Sequence, residues 1–171
     1  MRSVTIKTAG LLFACALSAT PAIAQSGTYQ VKQMTPEAAA KAVRAALDDC
    51  RKRGYQVAVA VVDRAGVAQA LMRDRFAGPH TVQTAINKGY TAVSFRTDTL
   101  EFAKLTQSGA ASSGVRSIAN VVAVGGGVNI ASGGTNVGAI GVSGAPTGEA
   151  DDACAKAGIA LNDNFVKLVA W

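Results

Sequence analysis

Aromatic side chains are scarce: five Phe, three Tyr and one Trp make up 5% of the 171 residues. A core must therefore be built from Ala, Val, Ile and Leu. The 49% hydrophobic content allows that and excludes global disorder. Charge is sparse as well, at 16%, and the 17 basic residues form no run longer than Arg51-Lys52-Arg53. Few rings and no cationic track exclude a nucleic-acid platform, which stacks bases beside a basic groove. There is one histidine, His80, so no multi-histidine metal site can form. No Cys-x-x-Cys pair, Gly-x-Ser-x-Gly elbow or His-Glu-x-x-His pattern occurs, which removes the corresponding redox, hydrolase and zinc-protease chemistries. Ser108, Ser112 and Ser113 have no base beside them in the sequence.

Residues 1–24 read as a signal peptide. Arg2 and Lys7 precede the apolar run Ala9 to Leu17, which is too short to span a bilayer, and Ala22-Ile23-Ala24 offers the small residues of a cleavage site. A core helix, or a lipoprotein signal acylated at Cys15, are the alternatives; bulky Phe13 suits the latter poorly. Cleavage before Gln25 would leave 147 residues, lower the formal charge from +6 to +4, and place the protein in the periplasm or outside the cell. No later stretch is apolar enough for an integral membrane segment. Cys50 and Cys154 would remain, and in an oxidising compartment they are a candidate disulfide; two buried free thiols are the alternative.

The rest reads as a lead-in over 25–34 and a single domain over 35–171. Thr35-Pro36-Glu37 opens a helix that Gly54 closes, with Ala39, Ala42, Val43, Ala46 and Leu47 on its apolar face. Gln56 to Asp63 predicts a strand covered on both faces. Asp63-Arg64-Ala65-Gly66 is a tight turn, and Val67 to Arg73 returns. Pro79 starts a second helix, with Gly89 in its middle where another backbone must come close. Thr97 caps a short third helix. Val121–Val124, Val128–Ala131 and Val137–Val142 predict three further strands, and Glu149, Asp151 and Asp152 open a last helix running towards Trp171. The expected fold is α+β: a five-stranded antiparallel sheet with flanking helices, mainly on one face.

Four blocks resemble a known family. They are Val57 to Gly66; Gly78-Pro79-His80-Thr81 with Ala85, Lys88, Thr91 and Ala92; Gly125 to Val128 with Val137 to Gly144; and Asp151 to Gly158. The chain is similar to the GlcG/HbpS-like group over about residues 33–165. That group includes glycolate-operon proteins, extracellular haem-binding proteins and the C-terminal domain of PduO. The resemblance implies a profilin-like or PAS-like sheet, a homo-oligomer and, for several members, binding or breakdown of haem. The expected function is an exported protein that binds haem, a related tetrapyrrole or another small anionic ligand. A haem-degrading or small-oxidised-carbon enzyme, and a non-catalytic accessory subunit, are the alternatives.

His80, in the first turn of its helix, is the candidate haem ligand, with Arg73 or Arg75 for the propionates. It could instead cap the helix or bond the loop, leaving Thr, Tyr90, a Met or a second subunit as the axial group. Lys88 could neutralise a bound carboxylate or pair with an acid such as Asp63. Gly126 and Gly127, in the run Gly125-Gly126-Gly127, could cradle a phosphate or form a bend that lets a ligand or helix approach. Gly138 and Gly141 suggest a helix packed on the sheet. The acidic trio at the last helix is explained by the helix dipole, with a weak iron or calcium site as the alternative.

Overall fold

The computed structural model describes residues 27–160. The signal peptide expected over 1–24, and the expected continuation of the last helix towards Trp171, lie outside the described residues. The chain divides into Met1–Gln30 and Val31–Trp171, and every helix and strand described belongs to the second unit.

Helix α1 (Pro36–Lys52) begins where its cap predicts: the Thr35 hydroxyl accepts from the Ala38 amide at 3.2 Å, and Pro36 fills the first turn. It ends on Gly54, whose φ of +82° lets the Gly54 and Tyr55 amides fold back onto the Arg51 and Cys50 carbonyls. Strands β1 (Ala58–Val62) and β2 (Ala68–Arg73) pair antiparallel across the Asp63 turn. The Asp63 carboxylate accepts from the Ala65 and Val67 amides there. Helix α2 (His80–Phe95), helix α3 (Thr99–Leu105) and a 3-10 turn (Ser113–Ser117) follow. Strands β3 (Gly127–Ser132) and β4 (Thr135–Ser143) form a second hairpin, and α4 (Gly148–Ala160) ends the described chain.

The sheet has four strands, in the order β2-β1-β4-β3, all antiparallel. This corrects the five-stranded expectation. Val121–Val124 was to be a strand, but the Val122 amide bonds the Thr91 hydroxyl at 2.9 Å instead of a neighbouring strand. A short apolar run looks like a strand by composition; its backbone bonds decide whether it is one. The third helix is also preceded by Asp98, not Thr97, in the cap position.

Helices cover both faces, not mainly one. Val57, Val59 and Val61 face α1 and α4, in a core with Val43, Leu47 and Ile140. Ala58, Ala60 and Val62, the alternate residues, pack on the α2 side against Ala85 and Ala92. That period of two explains why the strand reads as an unbroken apolar run. On the α2 side the residues are small because the helix lies close. A Cβ at Gly141 would strike the Ala85 carbonyl, and one at Gly127 the Lys88 carbonyl. Gly127 and Gly141 are paired across the β3–β4 ladder, so they form one flat patch beneath α2. Gly138 serves differently: an added Cβ there would strike the Val62 carbonyl of the neighbouring strand.

Cys50 and Cys154 are joined in a disulfide that ties α1 to α4 across 104 residues of sequence, with Cα atoms 5.5 Å apart. Chain entropy assigns such a loop about 4–5 kcal/mol, often less in practice.

Gly141→Ala should lower stability by at least about 2 kcal/mol, because backbone on both sides must separate. Chemical denaturation measures it, and a change within about 0.5 kcal/mol, the range of neutral surface substitutions, would contradict the close approach.

Candidate functional site

Several segments converge on a cleft of about 570 Å³. The main ones are α2 from His80 to Lys88, the loop over 74–79 before it, and the loop over 143–148 that leads into α4, with Gln56 and Val124 beside them. Their sequences explain their positions. The buried Asp74 carboxylate anchors the first loop: Arg51 of α1 donates to it through Nε at 2.7 Å and Nη2 at 3.1 Å. The Arg51 guanidinium holds the Asp74 carboxyl below the usual carboxylate range, with the Arg75 amide helping and burial opposing. The Ala77 amide bonds the Asp74 carbonyl, and Arg73 closes the loop by donating to the Ala77 carbonyl at 2.6 Å. Thr81 then donates to the Gly78 carbonyl at 2.6 Å, fixing the first turn of α2.

His80, Thr84 and Lys88 recur every four residues and so share one stripe of α2, which lines the cleft together with Thr81. His80 is exposed at the mouth. Among the described residues its ring nitrogens make no hydrogen bond, either to the helix end or to the loop. The ring lies over Gly78, where an added Cβ would come within 2.7 Å of it. Phe76 stands at the same mouth and is 79% exposed.

The floor is polar. Lys88, only 2% exposed, donates to the Asp151 Oδ2 at 2.7 Å, and Asp151 Oδ1 accepts from the Ala145 amide at 2.9 Å. Burial pushes the Asp151 carboxyl up, while Lys88 and the amides of Ala145 and Gly144 pull it down; burial wins. Gln56 adds a buried amide oxygen that has no donor among the described residues. Gly126 makes room behind the ion pair, since a Cβ there would meet Asp151 Cβ at 2.7 Å and Lys88 Nζ at 3.1 Å.

The structure thus brings His80 and Lys88 into one cleft, with Gly126 and Gly127 behind its floor. Arg73 is engaged with the loop, and the Arg75 guanidinium lies 5.9 Å from the Phe76 ring centre; neither lines the cleft. Lys88 has an acidic partner, but it is Asp151, because Asp63 is occupied in its turn. The acidic trio is divided: Glu149 stays at the helix start, Asp151 takes Lys88, and Asp152 takes Lys156 at 2.7 Å. Among the described residues no group of three or more His, Cys, Asp or Glu side chains could hold a metal ion. Nothing in the sequence marks Phe76 for the site, and Asp151 reads there only as one of the acidic trio at the last helix. Asp151 lies 63 residues from Lys88, and no local pattern joins them.

The family model described as haem degrading protein, HbpS-like, matches residues 34–160. A double mutant of HbpS from Streptomyces reticuli is similar at 38% identity and a TM-score of 0.74, over 85% of this chain and 98% of that one. PduOC, solved as a haem complex, is similar at 30% identity and a TM-score of 0.71, over 75% and 94%. The ORFY protein of Klebsiella pneumoniae follows at 25% identity and a TM-score of 0.76, over 80% and 95%. No curated protein matches the chain.

The lowered Asp74 carboxyl carries a pH signature. Its stabilisation is present above the ordinary carboxylate range, about pH 4, and is lost as pH falls through the lower folded value. Native protein should therefore lose stability on acidification more steeply than Asp74→Asn, measured by denaturation between about pH 6 and pH 2. Asp151 contributes with the opposite sign in both proteins and cancels in the comparison. Parallel curves would contradict the anchoring role of the Arg51–Asp74 pair.

Proposed function

The chain belongs to the HbpS-like family, and from that premise we propose that it is an exported protein binding haem or a related tetrapyrrole in the cleft beside His80. One observation carries the reading: the sole imidazole of the chain stands at the mouth of a cleft of about 570 Å³, its nitrogens unbonded among the described residues. A neutral ring nitrogen in that position can serve as an axial ligand. The residues present fit the group. Phe76, 79% exposed, and Val124, 49% exposed, offer apolar surface at the rim for a flat ring system. Arg73 and Arg75 lie beside the mouth and favour approach of an anion. Haem in this cleft would supply an iron that accepts a nitrogen ligand and reacts with oxygen; His80 would hold it, and Gly78 leaves the imidazole its place.

Export rests on the leader over 1–24 and agrees with the Cys50–Cys154 disulfide, since such bonds persist in oxidising compartments. A periplasmic or secreted location and a homo-oligomer belong to the same reading. Among the described residues no helix is long and apolar enough to cross a membrane. Haem breakdown is the second reading, favoured by the description of the family. Incubation of the haem-loaded protein with a reductant and oxygen separates the two: an intact tetrapyrrole after many protein equivalents rejects breakdown.

Titration of the protein with hemin should give a saturable Soret shift. His80→Ala should weaken binding about tenfold or more and change the band position, as loss of an axial ligand requires. Gly78→Ala, which displaces the ring at little cost to the fold, should also move the band. Absence of a saturable shift would reject the cleft as a haem site, and an identical spectrum in His80→Ala would remove His80 as the ligand.

A further inference from the structure

We propose that the cleft takes its ligand carboxylate-first, with Lys88 at the floor receiving the carboxylate and the apolar rim of Phe76 and Val124 holding the body of the ligand. The inference rests on the tetrapyrrole reading for the identity of the ligand, whose carboxylates are its propionates. Its grounds are the distribution of polarity within the cleft. Two large apolar side chains stand at the rim, Phe76 at 79% and Val124 at 49% exposure. The charges lie innermost, with Lys88 at 2% and Asp151 at 4%. An amphiphile that matches this gradient enters with its anionic end inward, because an apolar end pressed onto the floor would leave the remaining Lys88 donors with neither water nor an acceptor.

Lys88 also has the capacity to bind. An ammonium carries three N–H donors, and among the described residues Lys88 spends one of them, on Asp151. Asp151 has both oxygens engaged, by Lys88 and by the Ala145 amide, so its charge is already met from two sides. The other cations nearby are less suited: Arg51 is held by Asp74, Arg73 donates to the Ala77 carbonyl, and Arg75 lies over Phe76 outside the cleft. A carboxylate meeting the free donors of Lys88 forms charge-assisted hydrogen bonds in a site sheltered from water, where such bonds are strongest.

The test compares hemin with hemin dimethyl ester, which keeps the iron and the ring and masks both carboxylates. Native protein should bind the acid about tenfold or more tightly than the ester, the worth of one hydrogen bond to a charged group. Lys88→Gln with Asp151→Asn replaces the ion pair by an amide pair of similar shape and should bring the ratio of acid to ester affinity close to one. Protoporphyrin and its dimethyl ester repeat the comparison with no iron for His80 to bind. Equal affinity of acid and ester for the native protein, which needs no variant, would overturn the orientation and leave haem binding standing. A ratio undiminished in the double variant would overturn the role of Lys88. Failure of all four compounds to bind would overturn both this inference and the tetrapyrrole reading.

Discussion

The buried ion pair between Lys88 and Asp151 is the constraint on which the site depends. One partner comes from α2 and the other from the first turn of α4, so the two walls of the cleft are joined at its floor. Two charges removed from water gain little over an apolar pair of the same volume, and their desolvation can exceed their attraction. A stranded partner, however, is far more costly than the pair. Arrangements of α2 and α4 that separate the two groups are therefore penalised, and the observed one is selected. The Ala145 amide ties the loop over 143–148 to the same carboxylate, so one acid positions both a helix and a lip of the cleft.

That arrangement needs space, and glycine supplies it. Gly127 and Gly141 let the backbone of α2 rest on the sheet, and Gly126 leaves room for the ion pair behind it. Alanines in β1 continue the same thin surface. On the opposite face the valines of β1 fill a deeper layer under α1 and α4, which the Cys50–Cys154 bond also joins. The sheet is thus asymmetric: one face is packed for stability, and the other is pared down so that α2 can carry His80 and Lys88 to the cleft.

Local chemistry was legible in the sequence. Thr35, Pro36 and Gly54 mark the ends of α1, Asp63 and Gly66 shape the first turn, and Cys50 and Cys154 are legible as a candidate bond. Non-local choices were not. Val121–Val124 has strand composition, yet the Thr91 hydroxyl captures one of its amides, an event invisible without the fold. Lys88 was expected to find an acid, but Asp63 and Asp151 could not be told apart without knowing that the turn already engages Asp63. Phe76 carries no motif; its meaning comes from standing exposed beside His80.

A double-mutant cycle on the ion pair tests this account most directly, by denaturation of Lys88→Met, Asp151→Leu and the combined variant. Each single change should cost about 3–5 kcal/mol by stranding a buried charge, while the combined variant should cost far less than their sum. Single variants within about 1 kcal/mol of the native protein, or costs that simply add, would show that the pair does not hold the two walls together.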